Sequence, residues 1–594
     1  MKQLPTLYEL NTSREFIDVF GGYNHNLRIG SGEFYNMKNL TSSDYPVLSP
    51  RQRRGIYVSP GSPQGMVAKD ALCYVDGDTF YINGYPVKME LSTKADDCPK
   101  TLISMGAYVI ILPDKKYVNT ENLTEWGKIE AEVETSGIVT FELCTVEGVA
   151  YGNTVVSAFA PTITEEMESD PSKIPLWIDT SGDTHALKQY STSSAMWSTI
   201  ATTYIKITST GIGKPFSVYD GVNISGIVSE ELADLNASMV IMANSDDYIV
   251  VRGILDKVTT QNEPVTVERK MPNMDFVIES GNRLWGCKYG VALNGEVVNE
   301  IYASKLGDFK NWNCFMGIST DSYAASLGTD GQFTGAITHL GYPLFFKENY
   351  LHKVYGNFPS NYQIQTTACR GVERGSSKSL AIVNEVLYYK ARSGICAYDG
   401  SLPVEVSSAF GDAIYSNAVA GALGNKYYVS MKEVNSAPIP PYHLFVYDTR
   451  RGTWHREDDT QVSEFCNCRG DLYYIDYADN QIKTVGGTGD SKEASNIEWM
   501  AETGVIGIAS PDKKYVSRID IRLSMTVGAR VFIHIQYDSL GDWEHVYAMT
   551  GITLRSFAVP IRPKRCDHLR MRISGIGESK IYSICKTIEQ GSDV

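Results

Sequence analysis

Histidines, cysteines, carboxylates and tryptophans are the side chains that could do chemistry here, and their spacing limits what chemistry is open to them. The nine histidines are dispersed, and no two stand four residues apart, as zinc ligands on one helix face do. Cys466-Asn467-Cys468 is the closest cysteine pair in the chain. With no second pair beside it, it reads as two thiols on one face of a strand. The eleven cysteines are odd in number and scattered, and they read as reduced, apolar strand fillers. Glu165, Glu166, Glu168 and Asp170 offer hard-cation oxygens but lack the glycine and terminal glutamate of an EF-hand, so a solvated acidic loop is expected. With 69 acidic residues, pairs able to flank a glycosidic bond arise by chance. Gly30-Ser31-Gly32 has neither the third glycine of a dinucleotide fingerprint nor a helical pattern after it, and the chain has no nucleophile elbow and no Walker loop. No cofactor, metal site or enzymatic activity is expected.

The elements that position these residues are hairpins. In residues 282–312, NRLWGCKYGVALNGEVVNEIYASKLGDFKNW, two β-prone strands flank a Gly-Asn-Gly-rich turn over 293–296 and end on a Gly307-Asp308-x-x-x-Trp312 corner. Similar units occur at 71–82 around Asp76-Gly77-Asp78, at 102–119, and then at 337–355, 379–398, 418–454 and 462–476. Seven units of short antiparallel strands are what a β-propeller needs, since each blade buries its faces on its neighbours. Trp285, Trp312, Trp454 and Trp543 could stack sugars, but at strand ends they read as blade-core or corner residues.

Composition and charge divide the chain further. It has 594 residues, too many for one core. An expected extended arm over 1–55 carries the basic cluster Arg51, Arg53 and Arg54, which reads as a solvated or assembly-interface face rather than a nucleic-acid contact. First propeller blades are expected over 56–129, an inserted acidic β-rich domain over 130–270, and the remaining blades over 271–490. A C-terminal β-sandwich is expected over 491–594, with a turn starting at Asp538 ahead of Trp543. The insertion holds 20 acidic against 8 basic residues, most of the net charge of −15. No stretch is long and apolar enough for a membrane helix, and no secretory signal is seen. The fold class expected is all-β: a propeller of about six to seven blades with an inserted β-rich domain and a C-terminal sandwich.

Two resemblances follow from particular residues. LFVYDTRRGTW, residues 444–454, is similar to a kelch-like blade, and Asp448, Gly452 and Trp454 resemble the Asp-box of sialidase propellers. Here the glycine lies four residues after the aspartate rather than two, so the stretch reads as a hairpin corner. The arm Gly32-Glu33-x-x-Asn36-Met37-x-Asn39-Leu40-x-Ser42 with YPVLSPRQRR, the IYASKLGDFKNW stretch, and the C-terminal KYVSRIDIRLS, YDSLGDWEHV and PIRPKRCDHLRMRISG resemble structural tail proteins of tailed bacteriophages, in architecture the nozzle or tail-stabilisation proteins of short-tailed phages. That resemblance implies a virion tail protein assembled in the host cytoplasm and a homohexameric ring. It implies neighbouring tail proteins on the adaptor or portal side and at fibres or spikes, and DNA passing along the axis without sequence-specific contact. The alternatives are a host-surface glycan-binding module and a glycan-degrading propeller enzyme.

Overall fold

The computed structural model describes residues 12–152, 154–158, 171–291, 295–434, 440–489, 491–493, 497–508, 512–551 and 553–590. The residues at the head of the hairpin turn expected at 293–296, and Glu165, Glu166, Glu168 and Asp170 of the expected acidic loop, lie outside the described residues.

The fold is all-β, and its largest part is a β-propeller. Among the described residues seven antiparallel blades follow one another: six of four strands, 63–88, 101–128, 276–326, 333–368, 381–405 and 415–458, and a seventh that joins 462–484 to Gly55–Val58 and carries Ser491–Lys492 as a fifth strand at its edge. The second strand of each blade carries the signal, as in Leu344-Phe345-Phe346-Lys347, Leu387-Tyr388-Tyr389-Lys390 and Leu472-Tyr473-Tyr474-Ile475. Most of these side chains are buried on both sheet faces, so the strands read as apolar runs rather than alternations. Tight hairpins precede them. The backbone turns left-handed at Asp70, Gly106, Asn282, Leu340, Asn384, Gly424 and Arg469, in the first hairpin turn of each blade, as tight hairpin turns require.

Each pair of neighbouring blades shares a core. Phe80 and Val109 meet between the first and second blades, Ile110 and Trp312 between the second and third, and Trp285 and Phe345 between the third and fourth. Phe346 packs with Tyr389, Tyr388 with Tyr427, Tyr428 with Tyr474, and Tyr74 with Ile475. The last of these joins the seventh blade to the first, where Val462–Cys468 runs beside Pro63–Lys69 and closes the ring. Cys466 and Cys468 both face this closing core, and all eleven cysteines are free.

Between the second and third blades the chain leaves the ring and builds three further sheets from strands between Ala131 and Arg269. Their main core contains Val139, Phe141, Ile205, Ile249 and Val267. At the C-terminal end two sheets form a sandwich. One contains Lys514–Met525 and Ser579–Gln590, and the other Arg530–Tyr537 and Leu569–Ile576. Buried and half-buried positions alternate along Leu569–Ile576, as a sheet with one face in a core requires.

The expectation of an extended N-terminal arm is corrected for residues 12–55. Thr12–Ile17 pairs antiparallel with Ser579–Gln590 inside the sandwich. Gly22–Tyr23 and Glu33–Lys38 lie between the outer strand of the sixth blade and Glu498–Thr503, giving one ten-stranded sheet that runs from propeller to sandwich. Gly55–Val58 is then the fourth strand of the seventh blade, held between Ile482–Thr484 and Ser491–Lys492. A free strand exposes a row of unpaired backbone groups, and pairing here satisfies them within the chain.

Candidate functional site at the arm seam

The three arginines of the basic cluster mark where arm, propeller and sandwich meet. Arg54 is 2% exposed. Its Nη2 donates to Glu457 Oε2 at 2.7 Å and Asp458 Oδ2 at 3.0 Å, and its guanidinium lies 5.3 Å from the centre of the Tyr474 ring. Arg51 donates to Asn39 Oδ1 at 2.8 Å and Glu493 Oε1 at 2.6 Å, and it sits 3.2 Å from Asp458 Oδ2. Arg53 Nε donates to the Glu493 carbonyl at 2.8 Å. The expectation of a solvated or assembly face is therefore corrected for Arg51 and Arg54, whose charges are neutralised inside the chain. Unpaired, they would be too costly to bury.

The opposing acids come from one strand end, Arg456-Glu457-Asp458-Asp459. Burial opposes ionisation of Asp458, but Arg54 and Arg51 outweigh it and hold the carboxyl at about 2. Burial likewise opposes the charge on Arg54, and Asp458 together with Tyr474 and Glu457 overrides it, raising its pKa above the ordinary value. Asp459 accepts from His443 Nδ1 at 2.9 Å and Arg456 Nη2 at 2.6 Å. Nearby, burial pushes His455 down to about 3, so it is neutral in the fold. The partnership of this acidic triplet with arginines some 400 positions earlier leaves no local pattern in the sequence.

A cavity of about 590 Å³ opens at this seam. Lys38, Arg51, Arg54 and Lys483 face it, and so do Asp458, Asp459, Asp476 and Glu493. Tyr442 and Tyr477 complete part of the wall, and Tyr477 is 62% exposed.

The other expected site residues fall into joints and cores. Trp285 and Trp312 are buried on opposite sides of the third blade, and Trp454 is buried beneath the arm, where its Nε1 donates to the Val406 carbonyl at 2.8 Å. None of these three can stack a sugar. Trp543 is half-buried, with the Arg572 guanidinium 4.0 Å from its ring centre. Asp538 accepts the backbone N–H of Asp567 at 2.7 Å, which fixes a corner of the sandwich. Asp448 caps its own turn through the N–H groups of Arg450 and Arg451 and accepts the Ser42 hydroxyl of the arm at 2.6 Å.

The Gly307-Asp308 corner does more than turn the chain. Gly307 has φ +73°, and Asp308 Oδ2 accepts from Asn311 Nδ2 at 2.6 Å. Asn311 in turn donates to Asp220 Oδ1 of the inserted domain at 2.9 Å and accepts the Gly221 N–H at 2.8 Å. Asp220 also pairs with the buried Arg269. The corner therefore clamps the insertion to the third blade. Asn311, Asp220 and Arg269 were not expected in this role, because nothing in their spacing reports contact across 91 residues.

Among the described residues no group of three His, Cys, Asp or Glu comes together to hold a metal, and no helix is long and apolar enough to cross a membrane.

The fold defines the class: a seven-bladed propeller carrying an inserted β domain and a β-sandwich. No family profile and no curated protein matches the sequence. Similar solved structures include an exo-β-1,3-galactanase from Phanerochaete chrysosporium, at 9% identity over 52% of this chain and 94% of that one, with a TM-score of 0.20. A GH43 protein from Bacillus licheniformis stands at 7% identity over 52% and 96%, TM-score 0.20. A Trypanosoma rangeli sialidase covers 96% of both chains at 8% identity, TM-score 0.19. At these values the likenesses carry no argument about what this chain does.

Proposed function

We propose that this chain is a structural component of a bacteriophage tail, a nozzle or tail-hub ring that forms part of the channel for DNA ejection and a platform for neighbouring tail proteins. The observation that supports this reading is where the tail-protein resemblance falls. Its first stretch supplies the Glu33–Lys38 strand and the seam arginines. Its second supplies the corner that clamps the insertion, and its third the sandwich strands Lys514–Met525 and Leu569–Ile576. The resembling residues are thus those that join modules or build the C-terminal module. A part that must hold its shape while DNA passes under pressure needs its joints specified most closely.

The acidic insertion has a place in this reading. A negatively charged wall repels phosphates and lets DNA slide, whereas a basic wall would bind it through counterion release. The insertion is assigned to the DNA path on that ground, in a virion tail assembled in the host cytoplasm.

Native mass measurement of the purified chain with electron imaging tests the reading. A six-fold ring with an axial opening lined by inserted domains is expected. A species that stays at 65.8 kDa at all concentrations contradicts the ring, and a ring with a basic axis contradicts the placement of the insertion.

A further inference from the structure

We propose that the seam cavity between the arm and the last two blades is a binding site for a neutral sugar. Arg54 lines it, is 2% exposed, and has its Nε and Nη1 without a hydrogen-bond partner among the described residues. Those two nitrogens are closed off from the cavity, and the donors that open on it are Lys38 and Lys483, beside the carboxylates of Asp459 and Asp476.

Charge then selects the ligand class. The four cations on the wall are matched by four carboxylates. A phosphate or other polyanion would be repelled by Asp458, Asp459, Asp476 and Glu493, and a metal cation by the lysines and arginines. A neutral molecule rich in hydroxyls suits both sets at once. Its O–H groups donate to the carboxylates while its oxygens accept from Lys38 and Lys483. The rim adds a flat surface. Tyr477 stands on a tight turn held by Ala478 N–H donating to Asp476 Oδ1 at 3.0 Å. An aromatic face exposed to this degree beside a polar cavity suits the C–H face of a pyranose. The volume, about 590 Å³, lies within the range of small-molecule pockets.

The proposal is independent of the tail-ring reading, because each subunit holds the whole site. Its test is titration of the full chain by saturation-transfer NMR and calorimetry with glucose, galactose, mannose, N-acetylglucosamine and their disaccharides, with inorganic phosphate as the anionic probe. At least one sugar should bind without displacement by phosphate, and Tyr477→Ala should weaken it about 3- to 10-fold with unchanged circular dichroism and melting temperature. The site is overturned if no sugar in the panel binds, if phosphate binds and displaces the sugar, or if a bound sugar is indifferent to Tyr477→Ala.

Discussion

Arg54 shows how one side chain can hold a joint. It is buried with two carboxylates, so the pair itself need not stabilise the fold more than an apolar contact of the same shape would. Its removal is another matter. Arg54→Met leaves Glu457 buried without its cation and Asp458 with Arg51 alone, and should cost about 3–5 kcal/mol in denaturant unfolding; a loss below about 1 kcal/mol would mean that Arg51 and water suffice for both carboxylates. Buried titrating groups, at the seam and in the fourth blade, set a pH dependence. His455 and His352 are lowered by burial to about 3 and about 4, so the unfolded chain takes up their protons first and stability falls as pH drops from about 6.5 towards those values. Asp458, held at about 2, contributes above its unfolded value near 4 and loses that contribution as pH falls through 2. All three act in one direction. The urea midpoint should therefore decline steadily between pH 6.5 and 4, and a flat profile over that interval would show that both histidines are solvated.

At the scale of elements, the blade hairpin is the repeated unit and its turn is the most exacting part. Leu340 occupies a left-handed position (φ 51°) ahead of Gly341 and is 52% exposed. Leu340→Asn would give the Asn-Gly pair that a type I′ turn favours, and it should stabilise the fold by about 1 kcal/mol; chemical unfolding of the variant checks the sign. The seventh blade depends on close approach instead. A Cβ at Gly55 would lie 1.6 Å from the Thr488 carbonyl oxygen, and one at Gly489 would lie 2.6 Å from that of Ile56. The glycine-rich stretch 485–489 therefore serves as the seat for the closing strand. These elements differ in how legible they are. The hairpins could be read because turn chemistry and aromatic strands lie within a few residues of each other, as at Asp76-Gly77-Asp78 and in Leu387-Tyr388-Tyr389. The closing pairing of Gly55 with Thr484 and the arm's place beside Trp454 could not, because strand partners so far apart share no local periodicity. Gly, Asn, Ser and Pro in residues 21–50 suggested an extended arm for a sound reason, since they disfavour long regular elements. Short strands of two to six residues satisfied them all the same.

Across the whole molecule the N-terminal segment is the tie. It contributes Thr12–Ile17 to the sandwich, Gly22–Tyr23 and Glu33–Lys38 to the bridging sheet, the arginines to the seam, and Gly55–Val58 to the ring. Of the candidate site, the basic cluster and the corner aspartates could be picked out in the sequence, whereas the cavity and the Asn311–Asp220 clamp arise only from tertiary contact. A single core cannot span a chain of this size, and the bridging sheet is what lets separate cores act together. The large cluster from Tyr23 and Trp454 to Trp499 and Ile573 belongs to propeller, arm and sandwich at once. The tail-ring reading and the rigidity it requires both depend on propeller and sandwich forming one body. Hydrogen–deuterium exchange through a denaturant series tests this most directly, because it follows each module by its own peptides. Peptides from Val462–Cys468 in the seventh blade and Leu569–Ile576 in the sandwich should lose protection at the same denaturant concentration. Loss of sandwich protection while the blade stays fully protected would contradict it.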